Sequence, residues 1–277
     1  MSSLILEHTL SSLVFSVMGE ECEAKILGSP EAQVVQTNLK LSMKSPLLIC
    51  CFPSAGVIGT IAANTMIEQF KMEEVAHVRS RYMPSAAVFL DGRLRHPFRI
   101  YADQKKNLLV VTAELPVAEE GMYVVSSALL DWATTMGVKE TVILDGIPVQ
   151  GIPTDRKVLF AAEEEKIAEL QEDEEMEILK KGIITGIAGS ILSETLCRDL
   201  VGFALLTPAI PMMPDPEGAV QVLKALNRLY DVGVEVAELM DSAEQIRKKM
   251  EEVAQQVDGI RRQQPGPSRG GYERMYA

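Results

Sequence analysis

Short runs of consecutive apolar residues recur along this chain, separated by stretches in which apolar residues return every three or four positions. Residues 47–52 read LLICCF, 108–113 LLVVTA, 141–145 TVILD, 158–161 VLFA and 201–207 VGFALLT. Runs of this length and continuity predict strands buried on both faces. The intervening segments carry helical spacing. Ile58, Ile61, Ala62, Met66 and Phe70 share one face of a segment that opens at Gly56 and Gly59 and runs to about 71. Val125, Ala128, Leu129 and Trp132 do the same over 122–135, and further helices are expected over 186–199 and 217–230. Weaker strands are expected over 74–78, 86–90 and 98–102. Residues 163–180 form an acidic segment expected as a helix with a solvated face. Strands alternating with helices of this length predict an α/β fold whose mainly parallel sheet is covered on both faces.

The ends of the chain follow other patterns. Residues 1–45 read as an N-terminal extension of extended or hairpin structure, and 46–235 as the α/β domain. From Val236 through Leu239, Ala243, Ile246, Met250, Val253, Val257 and Ile260, apolar residues step by three and four without a break. This heptad pattern predicts a helix over 236–262, which either packs back on the domain or lines up with copies of itself. Residues 263–271 then contain two prolines and three glycines. A tail of that composition over 263–277 is expected to stay disordered, since it buries too little apolar area to offset its ordering entropy. Its tip, Met275-Tyr276-Ala277, is nevertheless apolar and aromatic and ends in a carboxylate. Such a tip is a ligand on a tether: a groove takes the ring, and a cation or a set of amides takes the carboxylate.

Composition narrows the function. The 277 residues are 47% hydrophobic and 24% charged, an ordinary globular balance. A net charge of -12 argues against nucleic-acid partners, which need basic surface. The four cysteines form no CxxC pair and no zinc spacing with histidine, so no metal is expected. Cys22, Cys50, Cys51 and Cys197 are expected as reduced, buried thiols, with Cys50 and Cys51 on opposite faces of one strand. No run reaches the roughly twenty apolar residues that a membrane span needs, and the expected location is the cytoplasm.

Candidate chemistry is sparse. Gly56 and Gly59 stand at a strand-to-helix turn where a backbone can approach an anion, but the spacing fits neither a Walker loop nor a dinucleotide fingerprint. Close helix–sheet packing explains the same glycines. Gly182, Gly186 and Gly189 are expected as a flat strip of small residues on a helix. His8, His77 and His96 fall in no base or ligand spacing, and Ser54 has no elbow motif around it. Asp145-Gly146 closes a central strand, where α/β proteins often place function, and Glu114 follows another. No nucleophile, base and oxyanion site assemble, so no enzyme activity and no cofactor are expected.

Several of these segments together resemble the archaeal branch of the proteasome assembly chaperone family. The resemblance rests on Pro53, Gly56, Gly59, Ala62 and Ala63 after the first buried run, on Met83-Pro84-Ser85, Glu114-Leu115-Pro116 and Leu144-Asp145-Gly146-Ile147, on the stretch from Gly186 to Leu192, and on Pro214 to Ala219. It runs from about 46 to 243, so residues 1–45 lie outside it. It implies a three-layer α/β/α sandwich, nucleoside-phosphorylase-like in shape. It also implies a homo-oligomer that binds proteasome α subunits without catalysis. Many members end in a hydrophobic-Tyr-any residue signal that docks between neighbouring α subunits, where a lysine meets the carboxylate. Met275, Tyr276 and Ala277 match that signal position by position. Two other readings stay open. One is a nucleoside- or phosphate-ligand-binding protein using Gly56 and Asp145; the other is a scaffold that assembles through its heptad helix.

Overall fold

The computed structural model describes residues 24–241, apart from Asp91, Ile152, Asp199 and Met212. In chain order the elements are β1 (Lys25–Gly28), β2 (Ala32–Gln36), β3 (Leu47–Cys51), α1 (Ile58–Phe70), β4 (Glu73–Ser80), β5 (Val88–Leu90), β6 (Arg93–Arg95), β7 (Phe98–Asp103), β8 (Leu108–Ala113) and α2 (Met122–Thr135). They continue as β9 (Glu140–Pro148), β10 (Val158–Ala162), α3 (Glu164–Leu170), β11 (Met176–Ile178), α4 (Gly186–Cys197), β12 (Val201–Ala209) and α5 (Pro216–Tyr230).

Ten strands form one sheet in the order β1-β2-β4-β7-β8-β3-β9-β12-β10-β11, and β5 and β6 make a separate ribbon. The apolar runs lie at its centre: β8, β3, β9 and β12 are mutually parallel. Residues of β3 and β8 are almost all buried, as strands covered on both faces must be. The cover is divided between two cores. Cys50, Val111, Ile143 and Ala204 pack with α2 and α4 on one face; Cys51, Val110, Leu144 and Phe203 pack with α1 and α5 on the other. The neighbouring cysteines therefore do point to opposite faces, and helices lie on both sides of the sheet.

The sheet is mixed rather than mainly parallel. β1 with β2, β2 with β4, β4 with β7, β7 with β8 and β10 with β12 all pair antiparallel. Between β7 and β8 the chain has no room for a crossover. Asp103 Oδ1 instead accepts the Lys105 and Lys106 N–H groups at 2.8 and 3.0 Å, and Asn107 takes a positive φ of 57° to close a hairpin. Residues 25–36 fold as a hairpin continuous with the sheet. Ala32 and Val34 of β2 are fully buried, and Gln36 Oε1 accepts the Trp132 indole N–H at 3.1 Å.

Two element boundaries differ from expectation. The acidic segment 163–180 is helical only through Leu170; Met176–Ile178 is an edge strand parallel to β10, with Met176 buried. The run of acids from Glu172 to Glu175 places like charges at a helix C-terminus, where the dipole disfavours them. Strand β9 does not stop at Gly146 but continues to Pro148, paired throughout with β12.

Candidate functional site

The turn from β3 into α1 is built around its glycines. Gly56 has φ 68°, and Val57 follows at 47°, also in the left-handed region. The Gly56 N–H donates to Ile210 O at 3.1 Å, and its carbonyl accepts the Asp215 N–H at 2.8 Å. A Cβ on Gly56 would meet Ala209 and Asp215 side-chain atoms at 2.8 and 2.9 Å. Gly59 lies on the buried face of α1, where a Cβ would sit 2.5 Å from Leu144 O. Both residues thus bring backbone against backbone, and the Gly56 amide is engaged by protein.

This close approach shapes a cleft of about 640 Å³ at the carboxyl ends of β3, β9 and β12. Open α/β sheets place ligands in such a crevice. Phe52, Ile187 and Leu206 are its buried apolar lining, and the segment from Leu179 to Ala188 forms one wall. Asp145 faces the same space. Burial pushes its carboxyl above the usual range; the neighbouring Ser54 hydroxyl and the Gly146 N–H, at 2.7 Å, pull the other way. The Ser54 oxygen itself is buried and lacks a well-formed hydrogen bond. Lys181 stands exposed in the same lining. The structure therefore joins Asp145 and Ser54, and adds Lys181, Leu179 and Ile184, which sequence reasoning passed over. The signal was present: Ile183-Ile184 is an apolar pair inside a glycine-bounded segment, and Ile183 is 89% exposed.

The other candidates lie elsewhere. His77 and His96 stack with ring centroids 3.5 Å apart. Burial, then His96 and Arg79, lower the His77 pKa to about 4. Glu114 holds Arg99, whose side chain is 1% exposed and which also bonds Tyr101 Oη and His96 O. Glu114 is an anchor for a buried cation. Gly182 lies in the loop before α4, so the three glycines form no single helical strip; a Cβ on Gly189 would meet Ile184 O at 2.2 Å. Burial raises the Cys50 and Cys51 thiols, which suits inert packing groups, whereas Cys197, at the end of α4, is exposed rather than buried, and Cys22 lies outside the described residues.

The chain leaves the sheet through a clamped segment. Asn227 donates to Val234 O and accepts the Val234 N–H, at 2.8 and 2.9 Å. Gln69 does the same for Glu235, at 2.5 and 3.0 Å. Lys106 Nζ donates to Val232 O at 2.8 Å. Val236 and Leu239, the first heptad positions, pack against the core under α1 and α5. The heptad positions from Ala243 onward and the tip Met275, Tyr276 and Ala277 lie outside the described residues. Among the described residues no helix is long and apolar enough to cross a membrane, and no group of three or more His, Cys, Asp or Glu could hold a metal.

A ten-stranded mixed sheet with helices on both faces and a clamped C-terminal exit defines an α/β protein whose kinship can be read by comparison. Residues 48–254 match the model of the PAC2 family, and the chain belongs to that family. A protein of unknown function from Thermoplasma acidophilum is 30% identical, with a TM-score of 0.68 over 80% of this chain and 90% of that one. PbaA of Pyrococcus furiosus, an archaeal homologue of proteasome-assembly chaperone, is 24% identical with a TM-score of 0.73, covering 84% and 95%. PbaB of the same organism, an archaeal proteasome activator, is 22% identical with a TM-score of 0.72, covering 82% and 100%.

Proposed function

We propose that this protein is a proteasome assembly chaperone or adaptor that binds the proteasome α-ring through its C-terminal Met275-Tyr276-Ala277 and catalyses no reaction. The observation that carries the reading is the conjunction of a PAC2 domain with that terminal tripeptide. On this reading the α/β/α sandwich has a nucleoside-phosphorylase-like shape that serves binding rather than catalysis. A phosphate cradle at Gly56 finds no support, since the Gly56 N–H is taken by Ile210.

The domain presents the tail. Tyr276 enters an apolar pocket between two α subunits, and the Ala277 carboxylate meets a cation there. Three residues bury too little area to bind tightly alone. Several tails on a homo-oligomer raise the effective concentration, so that weak single contacts sum to stable capture. Residues 263–277 number fifteen, which reach at most about 50 Å when extended. That length lets subunits engage adjacent pockets without exact symmetry matching.

The test is capture of isolated α subunits by the full chain and by a chain lacking residues 275–277, with Tyr276→Ala as the single-site version. Loss of capture in both variants, with the same mass in solution, is expected. Undiminished capture by the shortened chain would overturn the tail as the docking element.

A further inference from the structure

The cleft beside Asp145 carries features that α-ring binding does not use. Asp145 is a half-buried carboxylate whose near polar neighbours, Gly146 N–H and the Ser54 hydroxyl, are neutral. Among the described residues no lysine, arginine or histidine pairs with it. A half-buried carboxylate in a cleft, partnered only by neutral donors, is a ready seat for a cationic group. Lys181, exposed in the lining of the same cleft, also forms no ion pair among the described residues. Phe52, Ile187 and Leu206 line the same cleft, and its volume of about 640 Å³ falls within the range of small-molecule sites.

We propose that this cleft binds a free α-amino acid with a large apolar side chain. The ammonium group sits against Asp145 and supplies the cation that the protein does not. The carboxylate is met by Lys181 at the mouth. The side chain packs on Phe52, Ile187 and Leu206. Phosphate esters and nucleotides are excluded by the same carboxylate, which repels an anion.

Calorimetric titration of the full chain with L-phenylalanine tests this, beside phenethylamine, which lacks the carboxylate, and hydrocinnamate, which lacks the amine. L-Phenylalanine is expected to bind more tightly than either analogue. Asp145→Asn is expected to weaken it at least about 30-fold, as for other desolvated charge pairs. Lys181→Gln, on an exposed side chain, is expected to weaken L-phenylalanine about 2- to 5-fold and to leave phenethylamine unchanged, as for an exposed charge pair. No heat with L-phenylalanine, equal binding to Asp145→Asn, or phenethylamine binding as tightly as the amino acid each overturns the assignment. Capture of α subunits by Asp145→Asn should be unaffected, so this test and that of the tail fail separately.

Discussion

Replacing Gly59 with alanine sets two effects of opposite sign against each other. In an exposed helix interior the change stabilises by about 1 kcal/mol, because glycine loses more backbone entropy on folding. At Gly59 the new Cβ would sit 2.5 Å from Leu144 O and 3.1 Å from Phe52 N. Neither is the end of a flexible side chain; both are backbone atoms, Leu144 in β9 and Phe52 directly after β3. Relief demands that α1 lift from the sheet by roughly 1 Å, the gap between this approach and ordinary van der Waals contact. Ile58, Ala62, Ala63 and Met66, all fully buried on the same helix, would lift with it and lose contact along the layer. Overpacking of this kind costs about 1–3 kcal/mol, and the loosened layer adds to it. We expect Gly59→Ala to destabilise by about 2–3 kcal/mol net, and to lower Tm by about 4–12 °C in a domain of this size. Urea denaturation at constant m-value measures it. Asn64→Ala, on the exposed face of the same helix, serves as control and should stabilise by a few tenths, about 0.5 kcal/mol. If Gly59→Ala raises stability as Asn64→Ala does, the close approach of α1 to the sheet is wrong.

Other substitutions probe separate contacts. Glu114→Ala should cost about 3 kcal/mol in urea denaturation, since it leaves the Arg99 guanidinium buried without its carboxylate, whereas Glu114→Gln keeps an acceptor and should cost less. Gln36→Leu orphans the indole N–H of Trp132, the chain's single tryptophan, and should cost about 1–3 kcal/mol, with the unfolding followed by that residue's own fluorescence. His77 titrates near 4 when folded and near 6.5 when unfolded, so between those values the unfolded chain binds more protons. Stability is therefore retained above pH 6.5 and lost as pH falls toward 4, by about 1–2 kcal/mol once solvent around the exposed His96 is allowed for, and His77→Gln should flatten that slope in denaturation midpoints measured across this range. Asp145→Asn should stabilise the unliganded protein at pH 7, because it removes a charge that burial disfavours; an unchanged or lower Tm would refute this.

The centre of the fold was legible because apolar continuity over LLICC, LLVVTA and VGFALLT has one physical meaning, burial on both faces of a sheet. The antiparallel flank was harder to read. Its strands alternate less cleanly, and the decisive sign was the short link between β7 and β8, which forbids a crossover. The edge strand β11 was hidden inside a sequence of strong helix formers, where tertiary pairing overrode propensity at Met176. Gly146 looked like a strand end, but its lack of a side chain serves a different need: a Cβ there would meet Ala55 O at 2.1 Å. The cleft was half visible. Asp145 stood out at a strand end, while Lys181 and Leu179 reach it only through the path of the chain between β11 and α4.

The clamp made by Asn227 and Gln69 has a consequence for how the molecule divides its labour. Both α1 and α5 run away from the cleft, and they end beside Val234 and Glu235. The five steps of β9 from Glu140 to Asp145 span roughly 17 Å, so the moored exit of the chain and the mouth beside Asp145 lie at opposite ends of the sheet, about that far apart. The cleft mouth beside Asp145 therefore stays clear of the point where the chain leaves the sheet, and the clamp at Val234 and Glu235 takes up none of its lining.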